Sequence, residues 1–154
     1  MLGVAEEIQE ISLSGFKVVS SDFFHGSFRP TLPLLTIWHD SISFSKAAIA
    51  SLNNCERIRI EVDAPTKRIL IVPVSSSDRD AIRWTRLGKT TESRKLDCAG
   101  FTKQLYATWE WKSNYVYRGV GRLVTVEKKL MLLFDFNNYE DWELKPRKKD
   151  DKNA

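Results

Sequence analysis

The stretch ISFSKAAIASLNNCERIRIEVDAPTKRILIVPV, Ile42 to Val74, reads as a complete strand, helix and hairpin unit. Ile42 and Phe44 alternate with Ser41 and Ser43, the period-two pattern of a half-buried strand. Ser45 stands at a helix N-cap position, where a hydroxyl accepts from a backbone N–H that the helix itself cannot satisfy. From Lys46 to Leu52 the apolar residues Ala48, Ile49 and Leu52 recur at spacings of three and four, which predicts a short helix with one narrow apolar stripe. Asn53-Asn54 supplies the residue type that tolerates a left-handed turn at its end. So short a helix needs packing partners to persist. Ile58, Ile60 and Val62 then alternate with Arg57, Arg59 and Glu61, Asp63-Ala64-Pro65-Thr66 breaks the run, and Ile69 to Val72 resumes it: a β-hairpin.

The unit has an echo from Cys98 to Phe136. Phe101-Thr102-Lys103 matches Phe44-Ser45-Lys46 in type, and the same offset places Leu105, Tyr106 and Trp109 on Ala48, Ile49 and Leu52. Tyr115 to Val126 is β-rich, Glu127-Lys128-Lys129 breaks it, and Leu130 to Phe136 is an apolar strand. Gly119 and Gly121 read as a bulge that absorbs the extra residues of this copy. Both copies extend backwards into a hairpin. In the first, Leu34 to His39 and Ser41 to Phe44 flank Asp40. In the second, Ala81 to Leu87 is a strand, Gly88-Lys89-Thr90 a turn and Ser93 to Cys98 the return.

The expected fold is therefore α+β and β-rich, with two pseudo-repeated strand-strand-helix-strand-strand units forming one compact barrel-like domain. Its parts are an accessory segment over 1–34, a first unit over 35–74, a second over 79–136, a closing turn or short helix over 137–144 and a disordered charged tail over 145–154. Ser75-Ser76-Ser77-Asp78 has the composition of a linker between the units. In the accessory segment Ala5 to Ile11 is mildly helical, Phe16 to Val19 a strand and Asp22 to Gly26 a turn of helix. Phe16, Phe23, Phe24 and Phe28 read as a flap packed on the core.

The chain has 154 residues, 42% of them apolar, enough for one ordinary core. No apolar run approaches the length of a transmembrane helix, and Glu6, Glu7 and Glu10 stand where a signal peptide would be basic and then apolar. The reading is a cytoplasmic protein with no membrane association. Two cysteines, Cys55 and Cys98, are too few for a disulfide scaffold or a cysteine zinc site and read as small buried thiols. The two histidines, His25 and His39, fall in no ligand or nucleophile spacing, and Gly119-Val120-Gly121 lacks the strand-to-helix context of a dinucleotide loop. No catalytic residue, metal site or cofactor is indicated, and an enzyme is not expected.

Thr36 to Val74, above all ISFSKAAIASL followed by RIRIEVDAPTKRILIVPV, resembles the AbrB and MazE swapped-hairpin family, whose small hairpin-helix-hairpin subunits interlock in pairs. The resemblance implies a barrel that binds duplex DNA as a transcriptional regulator or antitoxin, here built as an internal pseudo-dimer within a monomer or as a weak homodimer. It also implies DNA contacts from basic residues of the first hairpin, a region that Arg83, Arg86, Lys89, Arg94 and Lys95 occupy in the second unit and His39 alone in the first. The chain departs from the family pattern where Ser45 and Thr102 take a proline position and only Lys46 and Lys103 keep the basic one. The leucine-glycine of the helix end becomes Leu52-Asn53 and Trp109-Glu110. The whole chain is also similar to proteins of this size encoded on mobile elements of anaerobic Firmicutes, a likeness that carries no function with it.

Charge marks the same region independently. Between Arg79 and Lys95 stand Arg79, Arg83, Arg86, Lys89, Arg94 and Lys95 against Asp80 and Glu92, a local excess equal to the formal net charge of +4. Such a hairpin, with Trp84 among its cations, can bind phosphates and stack a base, or it can be a solvated hairpin with Trp84 in the core. The candidate DNA-binding residues are these six together with Lys46 and Lys103. The alternative reading is a protein-interaction module, with Trp111, Tyr115 and Tyr117 as an exposed contact patch beyond the second helix.

Overall fold

The computed structural model describes residues 8–19 and 32–145. Strands β1 (Leu34–Ile37) and β2 (Ser41–Phe44), helix α1 (Lys46–Ser51), and strands β3 (Arg57–Asp63) and β4 (Arg68–Pro73) realise the first unit. After it come β5 (Ile82–Arg83), β6 (Thr85–Arg86), β7 (Lys89–Ser93), β8 (Lys95–Asp97), α2 (Ala99–Thr108), β9 (Tyr115–Val126), β10 (Lys129–Asp135) and β11 (Glu140–Glu143). The molecule is β-rich, with few helices and a sheet curled into a half barrel. Its strand order is β5-β3-β4-β10-β9-β1-β2-β8, with β11 added to β9 and β6-β7 forming a separate two-stranded ribbon. Among the described residues no helix is long and apolar enough to cross a membrane.

The local chemistry of the first unit is as its residues dictate. Ser45 Oγ accepts the Ala48 N–H at 3.2 Å, and α1 ends on Leu52 before Asn53 and Asn54, both left-handed at φ 58° and 55°. Ser45 also ties the helix to β1: it accepts the Leu34 N–H at 2.9 Å and donates to Leu32 O at 2.9 Å. The stripe Ala48, Ile49 and Leu52 is buried, and so are Leu105, Tyr106 and Trp109. Ile69 and Ile71 of β4 meet Phe134 and Leu132 of β10 in register, and these four fill the concave side of the sheet.

Five expectations are corrected. The strand expected over Ala81 to Leu87 is split, because Trp84 turns into the core and the chain changes partners there. Thr102, matched with the capping Ser45, lies inside α2, whose N-cap position is Cys98; its hydroxyl donates to the carbonyls of His39 and Cys98 at 2.7 and 3.2 Å. Gly119 and Gly121 form no bulge, since Gly119 stands in register with Leu35 of β1 and Gly121 with Phe134 of β10. They admit aromatic rings instead: a Cβ on Gly119 would lie 3.0 Å from Phe136 Cζ, and one on Gly121 2.8 Å from Phe134 Cε1. The closing segment is a strand, because β11 continues the edge of β9 that β10 leaves at Gly121. In the accessory segment, residues 8–19 contain neither helix nor strand and Phe16 is 69% exposed, so it covers no core. The turn expected at Asp22 to Gly26, Phe23, Phe24 and Phe28, and the tail beyond Lys145 lie outside the described residues.

Candidate nucleic-acid interface

The basic hairpin becomes two structures hinged on Trp84. Before it, β5 pairs with β3, Ile82 opposite Ile58 and Arg83 opposite Arg57. Trp84 is fully buried, donates its indole N–H to Cys55 O at 2.7 Å and meets the Phe44 ring edge-on at 5.1 Å. It is a core residue and cannot stack a base. After it, Thr85 is buried and the chain leaves the main sheet as the β6-β7 ribbon, paired Thr85 to Ser93 and Arg86 to Lys89. The ribbon turns at Leu87 and Gly88. Leu87 is exposed, and Gly88 has φ 76°, the left-handed region that a tight turn needs and glycine supplies without strain.

Arg86 and Lys89 flank this tip with side chains 65% and 67% exposed, and both face Glu92, at 3.6 and 3.8 Å. Solvated ion pairs of this kind contribute up to about 1 kcal/mol, so neither cation is held against a stronger anion such as a phosphate. Helix α1 packs against β7, which brings exposed Lys46, its first residue, to the ribbon's side of the molecule.

Arg83, Arg94 and Lys95 gather elsewhere, around a groove of about 650 Å³ between β5 and β8, the two ends of the sheet path. Ile42, Ile60, Ile82, Leu96 and Phe101 line the groove with apolar surface. The Arg83 side chain is 18% exposed; its Nη2 lies 3.3 Å from Glu56, and its Nη1 is shielded without an acceptor among the described residues. Lys95 Nζ sits 4.9 Å above the Trp38 ring. Cys98 also lines the groove, and burial, then the neighbouring Asp97 carboxylate, push its thiol up, so it stays protonated at neutral pH. Burial does the same to Cys55. Of the remaining candidates, Arg79 is exposed in the turn that follows Asp78, and Lys103 is exposed on α2, two residues past Phe101.

The aromatic residues expected as an exposed contact patch are packed. Trp111 stacks on Tyr117 at 4.0 Å and 10°, Tyr117 is 4% exposed, and its hydroxyl accepts the Lys112 N–H at 3.0 Å. Tyr106 meets both rings edge-on at 5.4 and 5.5 Å, and Trp109, Phe136 and Tyr139 extend the cluster. Trp111 and Tyr115 remain half-buried. Edge-to-face and stacked rings stabilise one another beyond the area they bury, and that packing takes Tyr117 out of reach of any partner. His39 is engaged too: its ring meets Tyr106 edge-on at 5.1 Å and its carbonyl accepts from Thr102.

Sequence reasoning missed Glu92 as the shared counter-ion of the ribbon, although its spacing from Lys89 was legible. It also missed the groove. Its apolar wall comes from β2, β3, β5, β8 and α2, and no local pattern joins residues so far apart in the chain. No protein-family profile, curated protein or solved structure matches the chain.

Proposed function

We propose that this chain is a DNA-binding protein without catalytic activity, acting as a transcriptional regulator or an antitoxin-like protein, and that the β6-β7 ribbon is its contact with duplex DNA. The observation that carries the reading is the ribbon itself, two strands set apart from the main sheet, with an exposed tip and with Arg86 and Lys89 largely solvated beside it. The major groove of B-form DNA admits a two-stranded ribbon, and cations on its flanks fix it through phosphates. Lys46, on the helix packed against β7, and Arg94, just beyond the ribbon, extend the positive surface.

The same reading takes 35–74 and 79–136 as a fused pair of swapped-hairpin units. What supports it is an exchange relation in the sheet. Interchanging β1 with β5-β6, β2 with β7-β8, β3 with β9 and β4 with β10 returns the same set of neighbours: β2 pairs β8, β4 pairs β10, and β3 with β5 mirrors β9 with β1. The helices follow it as well, α1 packing on β7 and α2 on β2.

The test is a fluorescence-anisotropy titration of a labelled duplex across a salt series, with the full chain and with the variant R86E/K89E/R94E. The expected result is affinity that falls steeply with salt, and a variant at least tenfold weaker whose salt slope is smaller by about 2 to 3 on a log-log plot. Binding that ignores salt, or that survives the triple reversal unchanged in a folded variant, overturns the reading.

A further inference from the structure

The groove between β5 and β8 has the properties of a receptor for an extended segment. Each of these strands ends the sheet and is hydrogen-bonded along one edge only, to β3 and β2 respectively, so their other edges are open to a further strand. Between them lies apolar surface from Ile42, Ile60, Leu96 and Phe101, and the rim carries the exposed cations Arg94 and Lys95 beside the single carboxylate of Asp97.

The complementary segment is in the same chain. Residues 8–19 expose Ile8 at 98%, Leu13 at 76%, Phe16 at 69% and Val18 at 97%, a concentration of apolar side chains that water disfavours. Ile11-Ser12-Leu13 and Phe16-Lys17-Val18 alternate as edge strands do. The acids Glu6, Glu7 and Glu10 lead into them, opposite in sign to the groove's rim. The hydrogen bonds of the segment are internal, Phe16 N to Leu13 O at 3.0 Å and Ser14 N to Ser12 Oγ at 3.1 Å, and its described residues stand clear of the body.

We propose that this groove receives the amino-terminal segment Glu6 to Val19 of a second copy of the chain, so that two copies exchange segments reciprocally. The apolar residues enter between β5 and β8 while the acids meet Arg94 and Lys95. The exchange shares Arg94 with the proposed DNA surface but does not rest on that reading, and its test contains no DNA.

Two full-length variants carry the test, E6K/E7K/E10K and R94E/K95E; Glu10, Arg94 and Lys95 are exposed. Sedimentation velocity over a wide concentration range should show the unaltered chain passing from monomer to dimer. Each variant alone should dimerise at least tenfold more weakly, and a one-to-one mixture of the two should recover dimers of mixed composition. Recovery follows because reversed acids then meet a reversed groove and native acids a native one. A chain that stays monomeric throughout, variants that dimerise as the unaltered chain does, or a mixture that fails to recover would each overturn the proposal. A segment that cross-links into the groove of its own copy would do so as well.

Discussion

Gly121 shows how a single absent side chain shapes the sheet. Its backbone angle is ordinary, so the demand for glycine comes from contact: an added Cβ would lie 2.8 and 2.9 Å from the Phe134 ring and 3.1 Å from Leu132 Cδ1, and both residues are fully buried. Gly121→Ala should destabilise the fold by about 1–3 kcal/mol in urea unfolding, the usual range for overpacking. Gly119→Ala meets Phe136 at 3.0 Å and should cost less, because alanine also lowers the entropy of the unfolded chain. Equal effects at the two sites would contradict the ring contacts as the cause. The glycine pair is visible in the sequence, but its reason is not, since Phe134 reaches Gly121 only once β9 and β10 have paired. Tyr106 is a similar case. Its hydroxyl lies 2.9 Å from Ile37 O and 2.7 Å from Tyr115 O, and burial, followed by Tyr117 and Asp40, pushes its phenol well above the ordinary tyrosine value. The unfolded chain ionises this phenol near pH 10 while the folded one keeps its proton, so the unfolded form binds fewer protons and stability falls as pH rises beyond that point. The raised Cys55, Cys98 and Tyr117 act in the same direction. Denaturant midpoints should therefore be level from about pH 5 to 8 and decline above about pH 9 to 10, while below that window the depressed carboxyls of Asp63 and Asp135 make stability fall with pH. Tyr106→Phe should start about 1–2 kcal/mol lower and decline less steeply; a decline of the same slope would remove Tyr106 from the account.

At the scale of elements, α1 survives with six residues because its cap also anchors it. Ser45 Oγ serves Ala48 N–H within the helix and both Leu34 N–H and Leu32 O beside it, so cap and tertiary tie are one hydroxyl. Ser45→Ala should lower stability by about 1–2 kcal/mol in denaturant unfolding, the upper part of the range for N-caps, and Ser45→Thr should restore most of it. A loss no larger than a few tenths would mean that the tie to β1 contributes nothing. The hairpins β1-β2, β3-β4 and β9-β10 and both helices were legible, because alternation, stripe and turn residues are local signals. Elements whose limits depend on a partner were not. The second helix begins a turn before the position that matching Thr102 with Ser45 predicts, and Thr102 finds His39 O across the fold; Trp84 divides a strand because the core claims its ring. The four exposed residues of β11 carry no apolar alternation, and they form a strand because β9 leaves an edge open to them. The candidate site divides in the same way. A run of cations between Arg79 and Lys95 announced itself, whereas its separation into a ribbon and a groove follows from the turn at Trp84.

At the scale of the whole molecule, the ladders that join 35–74 to 79–136 are distributed along the entire sheet. β3 pairs β5, β4 pairs β10, β1 pairs β9 and β2 pairs β8, so each part supplies strands that the other must flank. The side chains are shared as widely: Phe44 packs on Trp84 and Phe134, and the Trp109 indole donates to Ala64 O at 3.1 Å. A core divided in this way has no half that buries its own apolar surface, and removing either part exposes both strand edges and the facing core of the other. The chain can be cut between Ser76 and Ser77, where Ser75, Ser76 and Ser77 are exposed between β4 and β5. The fragments 1–76 and 77–154 should each lack a cooperative thermal transition by circular dichroism. Mixed in equal amounts, they should assemble one to one and recover the buried-tryptophan fluorescence of the intact chain. Trp84 reports the assembly directly, because the indole lies in one fragment while its ring partner Phe44 and its acceptor Cys55 O lie in the other. A cooperative transition in either fragment alone would show that its core is self-sufficient, and the shared sheet would then be a docking of two domains instead of a single folding unit.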